Sequence, residues 1–322
     1  MNLPSVLLPA CLLFFLQNVR GQDMPQIMDL GENPGNLRLF VHEPDSLSHT
    51  DVPLLVVLHG CNQDAHAMMR LSGWNKLADE NGFIVAYPEQ KGSNNMNRCF
   101  NWFGRKDNDR DEGEVASIIS MIHFMKAAYP IDQRGIYITG VSAGAAMAVT
   151  MAALYPTEFS GVASYAGGPY GLGGNMFSAV GGMLGAVDRK PWEWARRVRA
   201  ANGGHRDSYP KMIVLHGTQD PVVNPVNAGE TVEQWVDLHE LDREADSVET
   251  AFNGNSKVNR TAYSDTSGTE MVVRYDLDGL GHVLAIDPGP GKDKGGRKGI
   301  FSADIDFHST YWLAVEFGLI GR

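Results

Sequence analysis

The sequence predicts an α/β fold, a doubly wound and mostly parallel sheet with helices on both faces. Short apolar runs of the kind found in strands alternate with longer stretches whose apolar residues recur at helical spacing. The strand-like runs do not alternate strictly between apolar and polar residues, which is typical of parallel strands buried on both faces. No internal repeat or low-complexity linker interrupts residues 22–322. These observations favour one doubly wound domain.

The predicted elements follow one another in a regular order. The predicted strands are Leu54–Leu58, Phe83–Ala86, Ile136–Thr139, Val162–Tyr165, Met212–Leu215 and Met271–Tyr275. The predicted helices are Leu71–Asn81, Glu114–Ala128, Ala143–Leu154 and Ala228–His239, with Phe307–Phe317 as a closing helix. Ligands of such sheets bind beyond the carboxyl ends of the strands, so chemistry is expected in the residues that follow each predicted strand.

Composition and charge limit the classes of function. With 322 residues and 43% apolar content, the chain can bury one large core. The formal net charge is −11, with acidic and basic residues mixed, which argues against a nucleic-acid or anionic-membrane partner. No Rossmann, Walker or zinc-type motif occurs, so no cofactor and no metal is predicted. The stretch with Asp107, Asp109 and Asp111 resembles a calcium loop, but its glycine falls one place late and its twelfth position lacks glutamate, which favours a solvated acidic loop.

The N-terminus predicts a signal peptide over residues 1–21. An apolar run, Leu3–Leu16, is followed by small residues before a cleavage site ahead of Gln22. The run is shorter than the about 20 residues that span a membrane, and it contains Pro4 and Pro9. The sequence therefore predicts a secreted, extracellular protein without a stable membrane anchor, and the alternative is a buried N-terminal helix.

Cysteine usage fits the same compartment. Cleavage would remove Cys11 and leave Cys61 and Cys99, which are expected to pair in an oxidising compartment, with two buried free thiols as the alternative. Residues Asn259–Thr261 form a glycosylation sequon, which matters only in a host that glycosylates.

Residues Gly140–Gly144 (GVSAG) form a G-x-S-x-G motif that makes Ser142 the candidate nucleophile. The motif alone is a weak signal, but here a predicted strand ends at Thr139 and a predicted helix begins at Ala143. A nucleophile on a sharp strand-to-helix turn needs small neighbours, because larger side chains would collide there. The motif therefore predicts the nucleophile elbow of an α/β-hydrolase fold, with an ordinary glycine-flanked turn as the alternative.

A serine nucleophile needs a base to take its proton, and the base needs a carboxylate to orient it. In this fold the order along the chain is serine, acid, histidine. Asp220 follows the strand Met212–Leu215, and His282 follows the strand Met271–Tyr275. We therefore predict Asp220 as the acid and His282 as the base.

The rival acids and bases are less well placed. Asp276 and Asp278 share the strand and loop of His282, which makes the usual separate placement of the acid harder. His308 is expected to pack at the closing helix. His59 and His216 lie beside glycines at strand ends and are expected to be hydrogen-bonded structural histidines.

The oxyanion hole is predicted at Cys61 and Ala143. In this fold one donor is the backbone N–H of the residue after the nucleophile, and the other comes from the loop after an earlier strand. The residues His59–Cys61 form that loop. We expect the N–H groups of Ala143 and Cys61 to be the two donors, held by a Cys61–Cys99 disulfide.

Six strings along the chain together resemble one known family. They are Leu58–Ala65 (LHGCNQDA), Cys99–Phe103 (CFNWF), Thr139–Met147 (TGVSAGAAM), Ala166–Gly171 (AGGPYG), His216–Asp220 (HGTQD) and Gly281–His282. In this order, from about Leu37 to the C-terminus, they resemble the polyhydroxybutyrate (PHB) depolymerase family of esterases. The resemblance implies a triad of Ser142, Asp220 and His282, a Cys61–Cys99 disulfide and an oxyanion hole at Cys61 and Ala143.

The resemblance also bears on substrate contacts. Trp102 and Tyr170 are the candidate contacts, and core packing is the alternative for Trp102. Residues 171–204 are rich in Gly, Met and Trp and are predicted to cap the site or to pack into the core. The chain departs from the family at Val283, where a small residue is usual. Extracellular depolymerases of this type usually carry a polymer-adsorbing module, whereas residues 22–322 are predicted to form one catalytic domain.

The sequence predicts a secreted serine esterase with an ester substrate. The leading substrates are poly- or oligo(3-hydroxybutyrate)-type hydroxyalkanoate esters. An alternative of the same reaction class is a carbohydrate esterase that removes feruloyl or acetyl groups from polysaccharide. An alternative of another class is a non-catalytic binding protein on a hydrolase scaffold, and such proteins typically lose a triad residue.

Overall fold

The computed structural model describes residues 24–204 and 208–321, so the predicted signal peptide lies outside the described residues. The strands are β1 Gln26–Ile27, β2 Arg38–His42, β3 Val52–Leu58, β4 Ile84–Glu89, β5 Ile131–Val141, β6 Gly161–Tyr165, β7 Lys211–Gly217, β8 Ser247–Glu249, β9 Val258–Ser264, β10 Glu270–Leu277, β11 Leu284–Ile286 and β12 Ser302–Asp304. The helices are α1 Ala65–Ser72, α2 Trp74–Asn81, α3 Gly113–Ala128, α4 Ala143–Leu154, α5 Met176–Met183, α6 Pro191–Ala201, α7 Val226–Leu238 and α8 Ser309–Glu316, with short 3₁₀ helices at Pro156–Glu158 and Phe252–Gly254.

Ten of these strands form one large sheet in the order β1-β2-β4-β3-β5-β6-β7-β10-β9-β8. The six central strands, from β4 to β10, all run parallel. The flanking strands pair antiparallel at both edges. The predicted mostly parallel sheet is confirmed, and the carboxyl ends of β3, β5, β6, β7 and β10 lie along one edge of it.

The sheet is covered by helices on both faces, as predicted. Along β3, Leu54, Val56 and Leu58 face the same core as α3, α4, α6 and α7, whereas Leu55 and Val57 face the core shared with α1, α2 and α8. All five side chains are buried. Burial on both faces explains why the central strands read as continuous apolar runs.

Two differences between the structure and the predicted elements have a clear physical reason. The stretch predicted as one helix over Leu71–Asn81 is divided at Gly73, whose φ of 77° ends α1 and precedes α2. The outer strands β2 and β9 were not predicted. In β9 every second side chain is buried, but one of these is Arg260, which is paired with Glu316 inside the protein, so the apolar alternation is broken.

Within the described residues, no helix combines the length and the hydropathy that crossing a bilayer requires.

Candidate active site

Ser142 lies at a strained turn between β5 and α4. Its φ and ψ angles are 57° and −119°, a conformation that residues other than glycine rarely adopt. Contacts explain the two flanking glycines. A Cβ atom on Gly140 would lie 2.3 Å from the carbonyl carbon of Gly144, and a Cβ atom on Gly144 would lie 2.5 Å from the carbonyl oxygen of Leu58. The turn therefore has the predicted form of a nucleophile elbow.

Backbone hydrogen bonds hold this turn in place. The N–H of Ser142 donates to the carbonyl oxygen of Tyr165 at the end of β6, at 2.9 Å. The carbonyl oxygen of Ser142 accepts the N–H of Ala146 in the first turn of α4, at 3.0 Å. The strained residue is thus fixed from both the sheet and the helix.

Asp220 and His282 contact each other at the same edge of the sheet. Asp220 Oδ2 lies 2.6 Å from His282 Nδ1, although 62 residues separate the two along the chain. The other carboxylate oxygen of Asp220 accepts the backbone N–H groups of Val222 and Val223, at 2.8 and 2.9 Å. Asp220 is buried, whereas His282 is partly exposed. The structure therefore brings together the predicted acid and base in the orientation that leaves Nε2 of His282 free of the carboxylate.

His216 is a further contact of Asp220. Its Nε2 lies 3.3 Å from Asp220 Oδ2 and 2.9 Å from the carbonyl oxygen of Val223. Sequence reasoning treated His216 only as a structural histidine. The sequence signal that could have linked His216 to the acid is its position four residues before Asp220, within HGTQD.

The surroundings of Asp220 keep its carboxyl group ionised. Burial raises the pKa of Asp220, but hydrogen bonds from His216, His282 and Val223 outweigh the burial and hold the pKa well below its usual range. Asp220 is therefore a carboxylate at neutral pH and is able to orient an imidazole and to stabilise its protonated form.

Two backbone N–H groups are available near Ser142. Ala143 begins α4, so its N–H has no acceptor within the helix. None of the hydrogen bonds between described residues uses the N–H of Cys61. The peptide before it is held firmly, because Gly60 N–H donates to Gln63 Oε1 at 2.8 Å and the Gly60 carbonyl oxygen lies 2.7 Å from His59 Nδ1. These are the two groups predicted to form the oxyanion hole.

One cavity of ≈ 210 Å³ joins Ser142 to both predicted donors, Cys61 and Ala143. A Cys61–Cys99 disulfide forms part of its wall. Trp102 also lines the cavity and is almost fully buried, so it packs into the core with one surface at the cavity, and its contact with substrate stays a prediction. Tyr170 is not among the described residues that line the cavity, and its backbone N–H is bound to the side chain of Gln234.

Residues 171–204 supply another part of the cavity lining. Leu172, Met176, Val180 and Met183 line the cavity, and the middle two belong to the exposed face of α5. Met176 is 59% exposed and Val180 is 50% exposed. The segment predicted as a cap therefore supplies an apolar wall that also faces solvent.

The rival residues are engaged elsewhere. His308 is buried with its Nε2 2.8 Å from the carbonyl oxygen of Ser72. His59 Nε2 accepts the backbone N–H of Gln90, at 3.0 Å. The carboxylate of Asp276 is paired with Arg274.

Two groups of side chains in the described part of the chain place metal-ligating atoms close together. They are Asp64, His66 and Glu89, and Asp287, Asp304 and Asp306. Glu89 is already paired with Arg38, and Asp287 with Lys294. Neither group contains Ser142, Asp220 or His282.

Comparisons with known proteins identify a family and several esterase relatives. Residues 38–256 match the family described as esterase PHB depolymerase, a range that contains Ser142 and Asp220 and ends before His282. The chain is 39% identical over 317 residues to poly(3-hydroxyalkanoate) depolymerase C of Paucimonas lemoignei, covering 98% of this chain and 75% of the relative. Feruloyl esterase B of Talaromyces stipitatus is 28% identical, covering 89% of this chain and 78% of the relative.

Solved structures share the fold. The acetyl xylan esterase from Aspergillus awamori superposes with a TM-score of 0.74 at 25% identity, covering 81% of this chain and 94% of that chain. The native structure of esterase Est2 from Thermogutta terrifontis superposes with a TM-score of 0.50 at 16% identity, covering 89% of both chains. The predicted α/β-hydrolase fold is confirmed by these neighbours and by the sheet.

Proposed function

This chain belongs to the PHB depolymerase family of esterases and is a carboxylic-ester hydrolase, and from that premise we propose that it is a secreted serine esterase acting on poly- or oligo(3-hydroxybutyrate)-type hydroxyalkanoate esters. The observation that carries the proposal is the Asp220–His282 pair at the sheet edge where Ser142 occupies its strained turn. The depolymerase among the relatives supports the substrate class.

The proposed mechanism uses Ser142, His282 and Asp220 as a triad. His282 Nε2 takes the Ser142 proton while Ser142 Oγ attacks the ester carbonyl carbon, and the N–H groups of Cys61 and Ala143 stabilise the oxyanion. His282 then gives the proton to the leaving alcohol, which leaves an acyl-enzyme on Ser142. Water activated by His282 releases the acid and restores the serine. Asp220 remains ionised throughout and stabilises the imidazolium.

The lining of the cavity supports a substrate with an apolar acyl group. Methionine and branched aliphatic side chains from α5 form one wall, and Trp102 lies in the other. Such a wall favours an aliphatic hydroxyalkanoate unit over a sugar ring, because it offers apolar contact and few hydrogen-bonding groups.

A second candidate within the same chemistry is a feruloyl or acetylxylan-type carbohydrate esterase. The superposition on the Aspergillus awamori acetyl xylan esterase favours it, since that structure covers most of this chain. The two candidates share the triad and differ only in the group that the cavity accepts.

Secretion is part of the proposal. The apolar run Leu3–Leu16, predicted as a signal peptide, lies outside the described residues. The Cys61–Cys99 disulfide supports an oxidising compartment. Residues 22–322 are proposed as the mature catalytic domain.

Hydrolysis of p-nitrophenyl acetate, butyrate and octanoate by the wild type and Ser142→Ala tests the nucleophile. Ser256→Ala, at an exposed turn, is the matched control. We expect activity in the wild type and the control and none in Ser142→Ala. Equal rates in all three proteins would contradict the proposal. Trimers of 3-hydroxybutyrate, methyl ferulate and acetylated xylan then separate the two candidate substrates.

A further inference from the structure

Tyr165 connects the nucleophile turn to the loop that carries the proposed base. Its backbone carbonyl oxygen accepts the N–H of Ser142, at 2.9 Å. Its phenol oxygen donates to the carbonyl oxygen of Val283, at 3.0 Å, and accepts the N–H of Ala285, at 2.8 Å. One residue at the end of β6 therefore contacts Ser142 on one side and the residues just after His282 on the other.

The residues before His282 are held by a different partner. The carbonyl oxygen of Leu280 accepts the N–H of Gln219, and the N–H of Gly279 donates to Thr218 Oγ1, each at 3.0 Å. Gln219 directly precedes Asp220. The loop is thus fixed to the acid on its N-terminal side and to Tyr165 on its C-terminal side.

The phenol of Tyr165 is buried beside the segment that follows His282. The side chain is 1% exposed, and burying a hydroxyl is unfavourable unless it is hydrogen-bonded. Two of its hydrogen bonds go to backbone groups of residues 283–285, and a third joins it to the side chain of Ser309, which itself binds the carbonyl oxygen of Ala285. Phenylalanine would fill the same volume but would leave both backbone groups without this partner.

We infer that Tyr165 is a positioning residue that sets the His282 backbone relative to Ser142. The inference rests on the proposed triad and adds a residue to it. A small displacement of the base relative to the nucleophile lowers the rate of proton transfer while leaving the binding of the acyl group in the cavity unchanged.

The test is Tyr165→Phe, with Tyr87→Phe as a matched control. Tyr87, in β4, is equally buried. Its hydroxyl donates to Asn75 Oδ1 in α2, at 2.7 Å, and neither residue is among the described residues that line the cavity at Ser142. We expect kcat for p-nitrophenyl butyrate to fall about 10- to 100-fold in Tyr165→Phe with KM within about two-fold, and both constants to stay unchanged in Tyr87→Phe. Assays are made well below the melting temperature of each variant.

Coupling to the triad separates positioning from a merely structural role. In an Asp220→Asn background, where the imidazole has lost its carboxylate, adding Tyr165→Phe is expected to lower kcat much less than it does in the wild type. Additive effects, or a loss of kcat no larger than in Tyr87→Phe, would overturn the inference.

A second variant keeps the test decisive if Tyr165→Phe does not fold. Ser309 Oγ donates to the carbonyl oxygen of Ala285, at 2.7 Å, and the hydroxyl also contacts the Tyr165 phenol. Ser309→Ala therefore loosens the same segment while the two hydrogen bonds from the phenol to the backbone remain. We expect a smaller loss of kcat at unchanged KM, and an unchanged kcat would overturn the inference. If Ser142→Ala remained active, the proposed function itself would fail, whereas an inactive Ser142→Ala with an unaffected Tyr165→Phe would reject only the role of Tyr165.

Discussion

Two buried carboxyl groups, Asp220 and Glu114, contact residues next to or in the cavity lining, and their surroundings shift their pKa values in opposite directions. Asp220 is 6% exposed, and its partner Val223 lines the cavity. Glu114 is 1% exposed and accepts the backbone and side-chain N–H groups of Asn101, next to the lining residue Trp102. Burial alone would raise the pKa of both groups. The pKa of Asp220 is nevertheless lowered, whereas that of Glu114 is raised to about 7.

The difference lies in the partners. Two imidazoles and backbone N–H groups contact Asp220, and their hydrogen bonds, together with the electrostatic contribution of His282, favour the carboxylate. Glu114 has only neutral amide donors, from Asn101 and from Gln90, and the negative charge of Asp107 opposes its ionisation. We conclude that Asp220 is arranged to stay charged, and that Glu114 is arranged to hold the cavity wall.

The largest expected effect comes from replacing Asp220 by its amide, and the same replacement at Glu114 is the comparison. Asp220→Asn is expected to lower kcat for p-nitrophenyl butyrate by about 10⁴-fold, because the amide no longer orients His282 in the required tautomer. Glu114→Gln, a substitution of the same kind, is expected to lower kcat by less than about ten-fold, because it acts only through the wall. Steady-state kinetics on both folded variants makes the comparison. Similar losses in the two variants would remove the distinction between the two carboxyl groups.

Removing the disulfide is expected to have the next largest effect. The double variant Cys61→Ser/Cys99→Ser should lose about 2–5 kcal/mol of unfolding free energy. Its kcat should fall about ten-fold, because the Cys61 N–H is then held less firmly towards the oxyanion. Urea unfolding and kinetics measure the two quantities. A less stable variant with unchanged kcat would show that this wall supports folding but not the oxyanion hole.

The pH dependence of stability sharpens the comparison further. In the unfolded chain Glu114 ionises near the ordinary glutamate pKa, whereas in the folded protein its pKa is about 7. The folded state therefore holds an extra proton between these values, and stability falls as pH rises through this window. Asp220 has the opposite sign, since its stabilisation is present above its unfolded pKa and is lost as pH falls through its lowered folded pKa.

Urea unfolding at pH 5 and pH 8 isolates the contribution of Glu114. Relative to Glu114→Gln, the wild type should lose on the order of 3 kcal/mol between these two pH values. The same pH dependence in both proteins would mean that Glu114 is already ionised at pH 5 and that its amide partners compensate for its burial.

The smallest expected effect concerns the wall formed by α5, which contains neither carboxyl group. Met176→Ser should lower kcat/KM for p-nitrophenyl octanoate about five-fold and leave the acetate unchanged, because only a long acyl group reaches that wall. Phe177→Ser is the matched control, since Phe177 is 91% exposed and is not among the described cavity-lining residues. Equal effects on both esters would place the acyl group elsewhere.

The sequence allowed the parts of the site that have a local signature to be predicted. Ser142 stands in a five-residue motif between a strand and a helix, and Asp220 and His282 each follow an apolar run that was recognised as a strand. Chain order then assigned their roles. These residues depend on short-range patterns and on the general rule that parallel strands place their carboxyl ends at one edge.

The residues that were missed depend on contacts between distant parts of the chain. Tyr165 and Val283 lie 118 residues apart, and nothing in the local pattern of either one signals their hydrogen bond. The sequence pattern of Glu114 indicates only a helix, because its partner Asn101 lies in an irregular loop before it. The strand β9 was missed for the same reason. It contains a buried charged residue, Arg260, and the burial of Arg260 requires Glu316 near the end of the chain.

The most direct test of Ser142 as the nucleophile is covalent labelling with diethyl p-nitrophenyl phosphate. A serine activated as proposed attacks phosphorus, and p-nitrophenolate leaves. We predict one diethylphosphoryl group per chain, on the peptide that contains Ser142, with activity lost in proportion to labelling and no labelling of Ser142→Ala. Activity that survives complete labelling of Ser142, or a stoichiometric label on another residue, would contradict it.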